Sequence, residues 1–311
     1  MADSEGTTPT TSTPNSIRIV EVGPRDGLQN ERVRLNPAER IRLIERLVDA
    51  GVREVEVGSF VHPRWIPQMA GTDEVLRGLH RQEGVAYWAL VPNRRGLDNA
   101  LEAGAEHVAV FVSSSETHNR RNLNRSIDES IENVREVVSD ARQEGLTVRG
   151  YISTVFGCPW EGDIDFDRVL DIARELFAMG VAEISFGDTT GMGTPYQVRD
   201  GMTRALDAFG PERVALHLHD TRGLAVANAL LAVEAGVTTL DASIGGMGGC
   251  PYAAGASGNV GTEDLVHLLH ATGRNTGIRL EDLLGISRSL EDEHGATLRS
   301  RYHAYSRAGH S

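Results

Sequence analysis

From residue 17 onward, short runs of β-branched and aliphatic residues alternate with longer stretches whose apolar positions recur at helical spacing. The short runs read as strands: Ile17–Val22, Arg53–Val57, Ala86–Val91, His107–Val112, Thr147–Ser153, Ala182–Phe186, Arg213–Leu218 and Thr238–Ser243. The longer stretches, such as Pro37–Ala50, Ser126–Glu144 and Asp165–Met179, read as amphipathic helices. Several helical stretches close on a glycine (Gly51, Gly104, Gly180, Gly236), the expected C-cap, with a strand following within a few residues. Eight strand–helix units over roughly 250 residues predict an α/β chain folded as a (β/α)₈ TIM barrel. A doubly wound open sheet alternates similarly, but no G-x-G-x-x-G follows the first strand. Residues 278–303 run past the eighth unit and predict extra C-terminal helices, so 278–311 is expected to be a helical extension of one catalytic domain spanning 17–311. Residues 1–16, rich in Thr, Ser and Pro with no apolar stretch, predict a disordered tail.

Catalytic groups of such a barrel sit at the C-terminal ends of the strands and in the loops just after them. Polar and glycine-rich chemistry gathers there. The first strand leads into Gly23-Pro24-Arg25-Asp26-Gly27-Leu28-Gln29-Asn30, and the second carries Glu56 and Ser59. The fifth runs to Cys158, the sixth to Asp188, and the seventh to His217, His219 and Asp220. The eighth opens onto Gly245-Gly246-Met247-Gly248-Gly249-Cys250-Pro251-Tyr252, then Gly258-Asn259. Packing alone does not explain this clustering.

Composition narrows the chemistry. A formal net charge of −13 argues against a broad nucleic-acid surface. No apolar run approaches the roughly 18 residues of a membrane span. The first sixteen residues lack the features of a secretory or transit peptide, so a cytoplasmic location is expected. All 31 basic residues are arginine. Without lysine the chain forms no Schiff base with substrate or pyridoxal phosphate and carries no biotin, and without the dinucleotide fingerprint no NAD is expected. If this chain breaks a carbon–carbon bond, its electron sink is a metal or a set of fixed hydrogen-bond donors. Two cysteines, Cys158 and Cys250, are too few for a disulfide framework, so each is weighed as a reactive thiol.

His217 and His219 stand two apart in a strand, so both imidazoles aim the same way. A lone histidine is more often a satisfied core residue; an H-x-H pair at a barrel strand end, followed by Asp, favours ligation. Asp26 is the natural carboxylate partner, although Asp-Gly is also ordinary turn chemistry. Two imidazoles, a carboxylate and amide or water oxygens suit Mg²⁺ or Mn²⁺ and leave an open position, unlike a closed structural zinc site. Residues 244–261, IGGMGGCPYAAGASGNVG, permit close backbone approach to a ligand. A free cysteine is more often a buried small hydrophobe. A thiol near a cation and an arginine has its pKa drawn from about 8.5 toward neutrality, where it can trade protons both ways. Residue types alone do not rank Cys158 against Cys250.

The segments VEVGPRDGLQNE (20–31), VEVGSFVHPRWIPQM (55–69), GDTTGMGTP (187–195), LHLHDTRG (216–223) and GGMGGCPYAAGASGNVGTEDL (245–265) closely resemble the 3-hydroxy-3-methylglutaryl-CoA (HMG-CoA) lyase family. The resemblance runs from about residue 17 to about 285, and the cysteine loop is its most specific part. The Arg-Asp turn with H-x-H belongs to a wider superfamily of metal-dependent barrels that includes isopropylmalate and homocitrate synthases and the carboxyltransferase domain of pyruvate carboxylase. Carried over by position, the resemblance implies metal ligands at Asp26, His217, His219 and Asn259, a substrate-contacting Arg25, a functional Glu56 and an active-site Cys250. It places Asp188 in a catalytic role and Gln29 and Ser59 in the substrate pocket. Arg64 departs from the family's lysine, keeping charge but not geometry.

The implied reaction is divalent-metal-dependent cleavage of (S)-HMG-CoA to acetyl-CoA and acetoacetate, as in leucine degradation and ketone-body formation. Arg25 would stabilise the developing enolate oxygen and Cys250 would protonate the acetyl-CoA carbanion. Asp26, His217 and solvent at the metal are the candidate acceptors of the hydroxyl proton. The basic stretch Asn119–Arg125 is a candidate contact for CoA phosphates. Relatives imply a homodimer. The alternatives are a lyase for a longer branched thioester such as isohexenylglutaryl-CoA, an acyl-CoA-condensing synthase, and a non-catalytic metal-binding barrel.

Overall fold

The computed structural model describes residues 15–248 and 258–309. Cys250 and nearly all of the expected tail lie outside these residues. Eight parallel strands close in sequence order, the first pairing with the eighth: β1 (Arg18–Glu21), β2 (Glu54–Ser59), β3 (Ala86–Leu90), β4 (His107–Ser113), β5 (Thr147–Ser153), β6 (Glu183–Asp188), β7 (Val214–Leu218) and β8 (Thr239–Ala242). The barrel is wrapped by α1 (Pro37–Asp49), α2 (Thr72–Gly78), α3 (Arg94–Glu102), α4 (Glu116–Leu123), α5 (Ile127–Gln143), α6 (Phe166–Met179), α7 (Pro195–Phe209), α8 (Ala225–Ala235) and α9 (Thr262–Ala271). The expected fold class therefore stands.

Local sequence explains the boundaries. Asn36 with Glu39 and Ser126 with Glu129 form reciprocal capping boxes that start α1 and α5. Gly180 and Gly236, both left-handed, end α6 and α8 as their positions predict. The basic stretch 119–125 is mostly helical, and α4 ends on Asn124 with φ of 54°. Asn15 and Ser16, expected in the tail, belong to the fold: Asn275 donates to the Asn15 carbonyl, and Ser16 bridges Asn275.

The extension forms α10 (Leu280–His294) and α11 (Arg301–Arg307). The segment between them clamps the start of the glycine loop, because the N–H groups of Arg299 and Ser300 donate to the Gly245 carbonyl at 2.7 and 3.0 Å. Asp264 accepts from Ser300 Oγ and the Tyr302 N–H, locking α11 to α9.

The main apolar core lies between strands and helices, where Val55, Val57, Val108, Val110, Val148 and Ile184 meet the inner faces of the helices. The barrel interior is different: it is ionic. Arg149 Nε donates to Glu183 Oε1 at 2.8 Å, and Arg149 Nη2 to Asp241 Oδ1 at 2.7 Å. Arg18 ion-pairs with Glu54 and Glu183, and Trp88 Nε1 donates to Glu54 Oε2 at 3.1 Å. Each of these interior charges has a partner of opposite sign, which is the condition for keeping it charged away from water.

Candidate active site

At the end of β1 the chain enters a single π-helical turn, Gly23–Gly27, in which the N–H groups of Arg25 and Gly27 both reach the Val22 carbonyl. This wide turn, a geometry frequent at functional sites, carries Arg25 and Asp26 to the barrel mouth. Glu21 anchors it. Its Oε1 accepts from the Gly23 and Ile244 N–H groups at 2.8 Å each, and its Oε2 accepts from Thr262 Oγ1 at 2.6 Å. One buried carboxylate thus ties the turn to segments on both sides of the glycine loop.

Arg25 is held rigidly. Its Nε and Nη2 lie 2.7 and 2.6 Å from Glu56 Oε2, and Nη1 pairs with Asp26 Oδ1. Burial alone would weaken the guanidinium charge, but Glu56 and Asp26 outweigh it, so Arg25 stays cationic. Burial pushes the fully buried Glu56 carboxyl up, with Arg25 opposing. Burial would also raise Asp26, but Arg25, the imidazoles of His217 and His219, and an amide from Asn259 hold it below the usual carboxylate range.

Asp26, His217 and His219 bring their ligand atoms within 4.8 Å of one another. The two imidazole Nε2 atoms are 3.1 Å apart. Two ligand atoms cis on an octahedral ion with bonds of about 2.1 Å would lie about 3 Å apart, so the pair fits a divalent cation. Burial drives His219 down to about 3, leaving a neutral imidazole with a free lone pair. Asn259 Nδ2 donates to Asp26 Oδ2 at 2.8 Å, while its buried Oδ1 has no hydrogen-bond partner among the described residues. An orphaned buried acceptor is unfavourable by about 1–3 kcal/mol, and a cation would satisfy it. Gly248 lets the backbone close over this amide. Its φ is 107°, and a Cβ there would sit 2.6 Å from Asn259 Nδ2.

Behind the imidazoles stands a carboxylate that residue patterns did not single out. Asp241 Oδ2 lies 3.3 Å from His217 Nδ1, and Asp241 is fixed by Arg149 and by Ser185 Oγ at 2.7 Å. A carboxylate at Nδ1 favours the proton there and leaves Nε2 to face Asp26 and His219. A charged residue at an inward strand position is the signal that could have revealed Asp241 and Arg149.

These groups open onto a cavity of about 340 Å³, also lined by Gln29, Phe111, Asn122 and Tyr151. Gln29 Nε2 donates to Asp26 Oδ1 at 3.0 Å, so it joins the site. Glu56 and Asn259 stand behind this lining and reach it through Arg25 and Asp26, whereas Asp188 and Ser59 neither line the cavity nor touch those groups. The Asp188 carboxylate accepts from the N–H groups of Met192 and Gly193, organising the loop after β6, and burial raises it to about 6. Ser59 Oγ accepts from the Val61 N–H and lines a separate cleft with Thr72 and Asn93. Cys158 is buried and accepts from Ser115 Oγ at 3.0 Å, also away from the cavity lining. Of the basic stretch, Asn119 is an internal pin, with Nδ2 donating to the Arg125 and Ser126 carbonyls.

A family model described as HMGL-like matches residues 16–290. Hydroxymethylglutaryl-CoA lyase YngG of Bacillus subtilis (strain 168) is 46% identical over 288 residues, covering 93% of this chain and 96% of that protein. The crystal structure of hydroxymethylglutaryl-CoA lyase from Pseudomonas aeruginosa superposes with a TM-score of 0.93 at 44% identity, over 96% of this chain and 99% of that one. An Acinetobacter baumannii HMG-CoA lyase, solved in complex with coenzyme A and 3-methylmalate, superposes with a TM-score of 0.90 at 37% identity, covering 96% of each chain. By its barrel, its mouth and its sequence over nearly the whole length, the chain belongs to the HMGL-like family.

Proposed function

We propose that this chain is a carbon–carbon lyase that cleaves (S)-3-hydroxy-3-methylglutaryl-CoA to acetyl-CoA and acetoacetate, using Mg²⁺ or Mn²⁺. The observation that carries the reading is the convergence of Asp26, His217 and His219 with the Glu56-clamped Arg25 at one cavity. The naming of its relatives as lyases favours cleavage over condensation.

Asp26, His217, His219 and Asn259 would hold the cation. When bound, it would supply Lewis-acid chemistry that lowers the pKa of the substrate's tertiary hydroxyl. Asp26, His217 or solvent at the site accepts the hydroxyl proton, and the electrons of the O–H bond form the ketone of acetoacetate. The adjacent C–C bond breaks, and its electron pair passes to the acetyl thioester as an enolate. Arg25 supplies a fixed positive charge for the enolate oxygen, because Glu56 prevents the guanidinium from swinging away. Cys250 then gives its thiol proton to the enolate carbon, completing acetyl-CoA. Gln29 holds the Asp26 carboxylate in place from the cavity side.

Incubation of the purified chain with (S)-HMG-CoA and Mg²⁺, followed by assay of acetoacetate and acetyl-CoA, tests the proposal. Equimolar formation of both is expected, and intact thioester after prolonged incubation would refute it.

A further inference from the structure

The inner wall at the barrel mouth is divided by chemistry. Arg25, Asp26, Glu56, His217 and His219 come from β1, β2 and β7 and the turns beside them. Strands β3, β4 and β5 instead contribute Leu90, Ala109, Phe111 and Tyr151. These four form an apolar cluster separate from the main core. Leu90, Phe111 and Tyr151 line the same cavity as the candidate metal ligands. Tyr151 enters the wall through its ring, because its hydroxyl accepts from Arg149 Nη1 at 2.6 Å. Beneath them Ala109 is fully buried, and Leu90 is nearly so.

We propose that Leu90, Phe111 and the Tyr151 ring, backed by Ala109, form the pocket for the alkyl branch on C3 of the substrate, and that they limit this branch to a methyl group. The inference rests on the lyase reading above. A 3-hydroxy-3-alkylglutaryl thioester offers its hydroxyl, carboxylate and thioester carbonyl to the charged half of the cavity. The alkyl branch is the one substituent of C3 without a polar atom. Turned toward Arg25 and Asp26, it would strip charges of solvent and return nothing; against the β3–β5 wall it is buried among carbon atoms. Because Leu90, Ala109 and Tyr151 are buried and packed together with Phe111 against them, a longer branch directed into this wall has to displace a packed side chain.

The test compares kcat/KM for HMG-CoA, for the analogue with a butyl branch and for unbranched 3-hydroxyglutaryl-CoA. It uses the wild type, Phe111→Ala, Leu90→Ala and Leu90→Phe, with thermal melts to verify folding. Phe111 is only half-buried, so its truncation keeps the variant set usable even if Leu90→Ala folds poorly. Phe111→Ala and Leu90→Ala are expected to shift the butyl-to-methyl ratio upward by roughly 10- to 200-fold, the span that one methylene commands in an apolar pocket. Leu90→Phe is expected to shift preference from the methyl to the unbranched thioester. If the wild type cleaves HMG-CoA and the folded variants keep its ratios, the pocket assignment is overturned while the lyase reading stands. If the wild type cleaves none of the three thioesters, the lyase reading falls and takes the pocket with it.

Discussion

Replacing Arg149 with methionine tests the idea that the site stands on an ionic barrel interior. Arg149 is fully buried and joins Glu183, Tyr151 and Asp241 at 2.8, 2.6 and 2.7 Å. Methionine fills similar volume but leaves Asp241 with Ser185 and the His217 ring, and Glu183 with Arg18 alone. Removing one partner of a buried pair is destabilising by about 3–5 kcal/mol, because the other charge stays behind. At about 2–4 °C per kcal/mol for a large domain, the melting temperature should fall by roughly 6–20 °C. Burial alone would raise the Asp241 carboxyl, but Arg149 more than reverses this and holds it far below its ordinary range. A depressed carboxyl contributes stability above its unfolded pKa of about 4 and loses it as the pH falls. The wild type should therefore lose stability on acidification more steeply than Arg149→Met. Calorimetric melts from pH 7 down to about 2 measure both effects, the acid limb falling below about pH 4, and Asp241→Asn in the Arg149→Met background should recover part of the loss. A variant that melts within a degree of the wild type at neutral pH, with an unchanged acid limb, would refute the reasoning.

Three further outcomes are expected. Cys250→Ala should bind the divalent cation like the wild type while kcat falls about 10²- to 10⁴-fold; near-full turnover would remove Cys250 as proton donor. His219→Ala should lose the metal-induced stabilisation, which in the wild type should reach about 2.7 kcal/mol at a cation concentration 100 times Kd and is read from thermal melts with and without the cation. Glu263, fully buried and accepting from the Gly245 N–H, is pushed by burial up to about 8. The folded state then keeps a proton that the unfolded state releases, so stability should fall as the pH rises from about 4.5 toward 8. Glu263→Gln should flatten that slope in chemical-denaturation curves, and an unchanged slope would assign it to other groups.

Much of this architecture was legible in the sequence because it repeats. The alternation of strand and helix, with glycine closing several helices, defines the barrel, and H-x-H near the end of β7 gives two imidazoles whose parity forces them to one side. Asp26, Gln29 and Asn259 converge as their positions imply. The ionic interior was not legible. Arg149 and Asp241 lie in runs that read as ordinary buried strands, and their charges become intelligible only when β5 and β8 face each other across the barrel. Asp188 and Ser59 show a different limit. A strand-end position fixes where the Cα lies but not which donor claims the side chain; the Met192 and Gly193 N–H groups claim Asp188. Ser59 lies past the register shift between Glu56 and Gly58, where alternation no longer tells which way a side chain aims.

On the proposed function, one divalent cation held by Asp26, His217, His219 and Asn259 enables the cleavage. Chelator-treated chain should be titrated with Mn²⁺ in a calorimeter, with acetoacetate formation from (S)-HMG-CoA followed at each point. One cation should bind per chain, with activity rising from zero along the binding curve. Full activity in the metal-free chain, or saturable binding to an Asp26→Ala, His219→Ala double variant with undiminished affinity, would contradict it.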